Sequence, residues 1–356
     1  MSVFNIFFFY LLSLIITVLI VPALKNYAVK YGITDKPDSV LKLQKKPVPY
    51  LGGAAIFFSI FICSGLFLIK SLLRIGSDSN INFDQSIIIL QVLMCSAIVM
   101  LLGLIDDIKN LSPYPKLIVQ FIVAVVIAQF DIIIQIKYFP YWLNYLLTIL
   151  WIIAMTNASN LIDIMDGLCA GVMSIAGVTF IICGFITNNP IAVFFGCAIG
   201  GSALGFLFYN YNPAKIYLGD AGSLMLGFIM SATAISMSYS GNNILAVLSP
   251  IIILGIPLYD TFLIIYFRIK AGKSPIRGSN DHFALRLKEL GFSVKEAVNL
   301  IYLISIVISV SAILIIKSSF YQALTVYFIL IGGSLIFGLM MSKITPPANN
   351  LTMRHK

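Results

Sequence analysis

Eleven apolar runs divide this chain, at roughly 3–24, 51–69, 86–105, 117–136, 141–156, 168–187, 190–209, 223–240, 244–266, 297–316 and 320–341. Most approach the ~20 residues that an α-helix needs to cross the hydrocarbon core of a bilayer. In that core a helix satisfies all its backbone N–H and C=O groups internally, and an open chain cannot. The 356 residues are 60% hydrophobic and 10% charged, against about 25% charged in soluble domains. A soluble globular protein is therefore excluded. So is a disordered chain, which needs low hydrophobicity and high charge. The expected fold is an all-α polytopic membrane protein with about eleven transmembrane helices. No internal repeat, low-complexity segment or long linker interrupts 1–356, which is read as one integral-membrane domain.

Charge orients the chain. There are 23 Lys+Arg against 14 Asp+Glu. Of the 23, 19 fall in the connections 25–50, 106–116, 157–167, 210–222, 267–296 and 342–356. The opposite connections keep only Lys70, Arg74, Lys137 and Lys317. Cytoplasmic loops carry the excess of positive charge, so the N-terminus is expected outside and the C-terminus in the cytoplasm. The basic balance reports topology, and no nucleic-acid partner is expected. The first run has no Lys or Arg before Lys25, so it is read as a retained span; a signal peptide would carry a basic n-region. The five cysteines lie scattered in apolar runs without a C-x-x-C pair, which excludes a disulfide framework and a zinc site of that type. Only two histidines occur, His282 and His355.

Four polar motifs fall on the cytoplasmic side. Asp106-Asp107 stand near Lys109 and Lys116. Adjacent carboxylates repel unless a cation or a proton sits between them. Mg²⁺ suits such a site, because it takes oxygen ligands from one or two carboxylates plus substrate phosphates. Taken alone, the pair also fits a solvated helix end. Asn157, Asn160, Asp163 and Asp166 recur every three residues. On an α-helix this stripe drifts by about 60° per step, so its two ends share a pocket only if the helix tightens or stops near Gly167. A string of helix caps is the plainer alternative.

The third motif, 210–223, carries Asn210, Tyr217, Gly219, Asp220, Gly222 and Ser223. Ser223 is expected to cap the next helix, whose free N–H groups favour phosphate. Asp220 suits a metal that bridges to a diphosphate. An ordinary turn has much the same composition. The fourth is the basic stretch 268–293, with Arg268, Lys270, Lys273, Arg277, His282 and Arg286. Most of its charge is accounted for by topology, and His282 is singled out. Together the motifs describe carboxylates and amides for a hard cation, lysines for phosphate, and a glycine-rich helix start at one membrane surface. That combination suits phosphoryl transfer between a soluble nucleotide substrate and a lipid, where positioning and charge stabilisation carry most of the catalysis.

In this order, from about residue 35 to 293, the motifs resemble the polyprenyl-phosphate N-acetylhexosamine-1-phosphate transferase family. That family includes phospho-N-acetylmuramoyl-pentapeptide transferase and the N-acetylglucosamine-1-phosphate enzymes. The resemblance implies a membrane enzyme needing Mg²⁺, with Mn²⁺ as an alternative ion. It moves a sugar 1-phosphate, such as N-acetylglucosamine 1-phosphate, from a UDP-sugar to undecaprenyl or another polyprenyl phosphate and releases UMP. It implies the first membrane step of cell-envelope glycan synthesis, at the cytoplasmic face of the inner (plasma) membrane. Asp106-Asp107 resemble the family's aspartate pair, one of them a base for the lipid phosphate, and with His282 they are the expected catalytic residues. Asn160 and Asp220 match metal-side positions. Asp163 and Asp166 match nucleotide-facing acids, with Asp166 the uracil partner. Tyr217 matches an aromatic on which uracil stacks, and Asn210 and Gly219 belong to the same nucleotide-sugar pocket. Lys45, before Pro47-Val48-Pro49, and Lys116 resemble phosphate-facing lysines, and Asp260 in PLYDT also fits the pattern. A homodimer is compatible with such a chain.

The chain departs from the family at its last cytoplasmic loop. The N-acetylglucosamine branch has a His-x-His-His run there, and here His282 aligns with its first histidine while Ala284 and Leu285 replace the pair. Gln44 and Tyr50 stand where that branch often has His and Arg. A transporter with an acid-lined cytoplasmic cleft is the alternative function. Transporters tend to show repeats and midplane sites, whereas here no repeat is visible and the acids gather on one face.

Overall fold

The structure is a computed structural model that describes residues 1–35, 47–73, 83–136, 138–237, 243–272, 274 and 281–344. Lys45, one of the expected phosphate-binding residues, lies outside the described residues. Among them the chain is all-α, apart from a two-residue antiparallel pair in which Thr34 of β1 (Thr34–Asp35) faces Pro49 of β2 (Val48–Pro49).

The apolar runs fall one by one on helices. They are α1 (Val3–Lys30), α2 (Gly52–Leu72), α3 (Phe83–Lys109), α4 (Pro113–Gln129), α5 (Tyr141–Leu161), α6 (Leu168–Ile186), α7 (Pro190–Asn210) and α8 (Gly219–Ile235). A 3₁₀ turn (Ile244–Leu248) then leads through α9 (Ser249–Ile253) into α10 (Gly255–Lys270). The short α11 (Phe283–Glu289) precedes α12 (Val294–Lys317) and α13 (Phe320–Ser342). Among the described residues, eight helices are long and apolar enough to cross a membrane, or nine with the pair Ile244–Ile253 and Gly255–Lys270, bent by 76°. The runs 117–136 and 223–240 fall on α4 and α8, apolar helices of 17 residues each. The chain is thus an all-α polytopic membrane protein.

Local chemistry sets the helix ends. Pro113 and Pro190 open α4 and α7 in the first turn, where a missing N–H leaves no bond unmade. Ser293 with Glu296, and Ser319 with Gln322, form capping boxes at the starts of α12 and α13. Gly167, at φ +81°, reverses the chain before α6.

Helix α8 is the buried centre. Every residue from Ala221 through Ala234 is buried, whereas α13 buries only Ala323 and Met341. Lipid tails give helices no hydrophobic reason to associate, so close packing of small residues does that work. The sequence of α8, rich in Gly, Ala and Ser, supplies it against α3, α5 and α2. Gly103 of α3 lies on the backbone of Asp220 and Ala221, and Gly53 of α2 on that of Gly222. The start of α2 gives its otherwise unpaired N–H groups to the loop before α8: Gly52 donates to the Tyr217 carbonyl at 3.0 Å and Gly53 to that of Leu218 at 2.9 Å. The first turn of α8 is therefore held from two sides by backbone contact, and this is where the polar motifs meet.

Gly103→Ala should push α3 off α8 and lower stability by about 1–3 kcal/mol, the scale of overpacking a close contact. Gly332→Ala, on α13 with nothing within 4 Å of the added carbon, should leave it unchanged. Thermal unfolding in detergent compares the two.

Candidate active site

Asp106 and Asp107 lie in the last turn of α3 and do different jobs. Asp106 is buried and closes the α3–α4 corner, accepting the Leu111 N–H at 2.6 Å and the Lys116 ammonium at 2.5 Å. Lys116 also reaches the Asp220 carboxylate at 3.3 Å. Asp107 turns the other way and caps α8: its Oδ1 accepts the Asp220 N–H at 2.8 Å and its Oδ2 the Ala221 N–H at 3.1 Å. A carboxylate there satisfies orphan donors and meets the positive end of the helix dipole.

The cap differs from the sequence expectation. Helix α8 begins at Gly219, a turn before Ser223, and Ser223 donates back to the Gly219 carbonyl at 3.0 Å while accepting from Asn160 Nδ2 at 3.0 Å. Free N–H groups at the helix start were expected to favour phosphate; those of Asp220 and Ala221 are taken by Asp107. Gly219 sits at φ +73°, and a Cβ there would come within 2.5 Å of the Asp107 carboxylate. Glycine is needed twice over, for its backbone angle and for its missing side chain.

Helix α5 stops at Leu161, so Asn157 and Asn160 are helical while Asp163 and Asp166 lie in the turn that follows. The stop divides the stripe: Asp163 and Asp166 line the cavity described below, and Asn157 and Asn160 do not. Asn157 faces Gln120 of α4, donating to it at 2.5 Å. Asp166 accepts from Asn212 Nδ2 at 2.8 Å and from the Ala214 N–H at 2.9 Å, which orders the α7–α8 loop. Asn210 is buried and pins the two loops together, accepting the Gly167 N–H at 3.0 Å and donating to the Ile216 carbonyl at 2.9 Å. Asp163 is half-buried, and among the described residues no hydrogen bond reaches its carboxylate. Burial, then the charges of Asp220, Asp107 and Asp166, hold its pKa well above the usual carboxylate range.

These groups surround a cavity of about 900 Å³. Asp106, Asp107, Asp163, Asp166 and Asp220 line it with Asn210, Tyr217 and Gly219, while Leu285 and Lys288 of α11 and Val294 of α12 form another part of the wall. Tyr50 also lines the cavity, its ring 6.1 Å from that of Tyr217. Lys116 touches the cluster through its two carboxylates and is outside the lining.

His282 is placed apart from this lining. It is buried, with Nδ1 2.7 Å from Asp260 Oδ2, while Asp260 Oδ1 accepts the Phe283 N–H at 3.0 Å. Asp260 thus caps α11 as Asp107 caps α8. Lys288, Tyr50 and Asn212 are lining residues that the motif reading did not assign to the site. The signal for Lys288 was its spacing of three from Leu285, hidden among charges that topology already explained.

The donor set fits Mg²⁺. Among the described residues no three His, Cys, Asp or Glu side chains converge on a ready-made metal cage. Mg²⁺ does not require one, being held by one or two carboxylates and the phosphates of a substrate. Asp163, with no hydrogen bond to its carboxylate, and Asp220 are hard oxygen donors in a cluster whose mutual repulsion a cation would relieve.

The sequence model of glycosyl transferase family 4 matches residues 89–238. A probable undecaprenyl-phosphate N-acetylglucosaminyl 1-phosphate transferase of Bacillus subtilis is 32% identical over 96% of this chain and 92% of its own length. A decaprenyl-phosphate N-acetylglucosaminephosphotransferase of Mycolicibacterium smegmatis is 28% identical over 78% of this chain and 73% of its own. A phospho-N-acetylmuramoyl-pentapeptide-transferase of Bacillus pumilus is 31% identical over 65% of this chain and 74% of its own.

If Asp107 caps α8, Asp107→Ala should cost about 1–2 kcal/mol of stability, the upper part of the range for a lost N-cap. Asp107→Asn, which can still accept an N–H, should retain most of it. Melting temperatures without nucleotide or added metal make the comparison.

Proposed function

The chain belongs to glycosyl transferase family 4, among the polyprenyl-phosphate N-acetylhexosamine-1-phosphate transferases, and on that premise we propose that it transfers N-acetylglucosamine 1-phosphate from a UDP-sugar to a polyprenyl phosphate. The observation that carries the proposal is the convergence of Asp107, Asp163, Asp166, Asp220 and Tyr217 on one cavity at the ends of apolar helices. Soluble nucleotide and membrane lipid can meet there. The relatives are transferases by name, and none of those compared supports a transporter.

In the proposed reaction an oxygen of the lipid phosphate attacks the phosphorus that carries the sugar. The bond from that phosphorus to the bridging oxygen breaks, and UMP leaves with the electron pair. Bound Mg²⁺, held by Asp220 and Asp163 beside Asn160, would offset charge on the diphosphate. Asp107 is the better placed of the pair to take a residual proton from the lipid phosphate. Each of its oxygens accepts one N–H and keeps a free lone pair, whereas Asp106 is committed to Lys116 and the α3–α4 corner. Lys116 steadies Asp106 and Asp220 together. Asp166 and Asn210 shape the loop that presents Tyr217, a flat ring suited to a pyrimidine. His282, buried against Asp260, acts in this proposal by positioning α11.

Charge bias and the eleven apolar helices or helix pairs support eleven spans with the N-terminus outside, the C-terminus inside and the cavity facing the cytoplasm. The enzyme would then act at the inner (plasma) membrane, as the first membrane step of envelope glycan synthesis.

Purified protein with undecaprenyl phosphate, Mg²⁺ and UDP-N-acetylglucosamine should release UMP, and chelator should stop it. Asp220→Asn should lose on the order of 10²–10³ in turnover, the scale of removing one preorganised electrostatic group. Full activity in that variant would make Asp220 a turn residue only. For topology, Lys317→Cys and Glu289→Cys flank α12 and are exposed. In a background with the five native cysteines replaced, an impermeant reagent on intact cells should label Lys317→Cys alone. Labelling of Glu289→Cys alone would invert the orientation.

A further inference from the structure

Six carboxylates line the cavity, those of Asp35, Asp106, Asp107, Asp163, Asp166 and Asp220. A nucleotide diphosphate must enter against that field. Among the described residues Lys288 is the one cationic side chain in the lining. It is half-buried on α11, and the ion pairs among the described residues do not include it. Lys116, an ammonium that touches the cluster, is engaged by Asp106 and Asp220.

The surroundings fix where Lys288 stands. Asp260 caps the start of α11. Arg286, buried on the same helix, donates to the carbonyls of Met341 at 2.9 Å and Ile344 at 2.5 Å, and its guanidinium lies 3.9 Å from the centre of the Phe267 ring. Helix α11 is therefore clamped against α10 and the end of α13. Residues three apart share a helix face, and Leu285 and Lys288 both line the cavity. Leu285 is one of the two residues that stand where the family has its histidine pair. Its partner Ala284 is buried, and so is His282. Among the described residues, the basic group that reaches the cavity from this helix is Lys288, one turn beyond Leu285.

We propose that Lys288 binds the diphosphate of the nucleotide sugar, supplying from α11 the positive charge that Ala284 and Leu285 cannot. An ammonium on a flexible stem is a compact, fully charged partner for phosphate oxygens. The proposal rests on the nucleotide-sugar reading above. It assigns Lys288 a binding role specific to the phosphates and independent of the base.

The test is binding of UDP and of uridine to the purified full-length protein, at one fixed Mg²⁺ concentration. Lys288→Gln should weaken UDP about tenfold or more, the scale of one charge-assisted hydrogen bond, and leave uridine unchanged. Lys288→Arg should recover most of the UDP affinity. Unchanged UDP binding in Lys288→Gln would overturn the proposal, leaving Lys288 as topological charge. Equal weakening of UDP and uridine would overturn it too, since that marks a disturbed wall. Wild-type protein that binds neither ligand would instead refute the nucleotide reading itself, and the role of Lys288 with it.

Discussion

The site depends on one carboxylate at one helix start. Asp107, on α3, accepts the Asp220 and Ala221 N–H groups that open α8. A buried helix end leaves N–H groups that no water can satisfy, and an unpaired one costs about as much as a lost hydrogen bond. Asp107 removes that cost and at the same time fixes where Asp220 points. Gly103 and Gly53 allow the approach, because any side chain at either position would strike the backbone of α8. The same device recurs at α11, where Asp260 of α10 accepts from Phe283 and holds His282. In both places a carboxylate on an apolar helix organises the start of an element that lines the cavity.

This arrangement concentrates negative charge. Asp163 and Asp220 keep their carboxylates close to Asp107, with Lys116 the counter-ion to Asp106 and Asp220. Like charges in a partly buried space favour a proton or a cation between them. The proposed function fills that place with a divalent ion that arrives with the phosphates of its substrate. Asp106, Asp166 and Asn210 line the same cavity and also brace the loops around it.

Much of this was legible in the sequence, for reasons that differ by element. The apolar runs were visible because a spanning helix must be apolar along its length, and each run became a helix or a bent pair. The run of Asn157, Asn160, Asp163 and Asp166 announced itself because polar groups amid apolar ones need a purpose. A shared pocket for its two ends needed a tightened helix or a stop near Gly167; α5 does stop, at Leu161, yet Asn157 faces Gln120 and only Asp163 and Asp166 of the run line the cavity. What stayed hidden was pairing over distance. Ser223 has the composition of an N-cap, and nothing nearby in the chain reveals that Asp107 occupies that role instead. His282 looked available because it stood in a polar loop, and Asp260, which buries it, lies in a different helix. Lys288 was concealed by its neighbours, since a charge among many on the cytoplasmic side carries no mark of the one that turns inward.

On the proposed function, the cavity between α3, the α5–α6 turn, α8 and α11 receives the nucleotide sugar with its ion. A cryo-electron microscopy structure of the protein with UDP-N-acetylglucosamine and Mg²⁺ decides whether it does. Density for the diphosphate and one ion is expected between Asp163, Asp220 and Lys288, with the pyrimidine against Tyr217 and the Asp107 cap on α8 intact. Nucleotide bound elsewhere, or an α8 start released from Asp107 when the ligand binds, would contradict it.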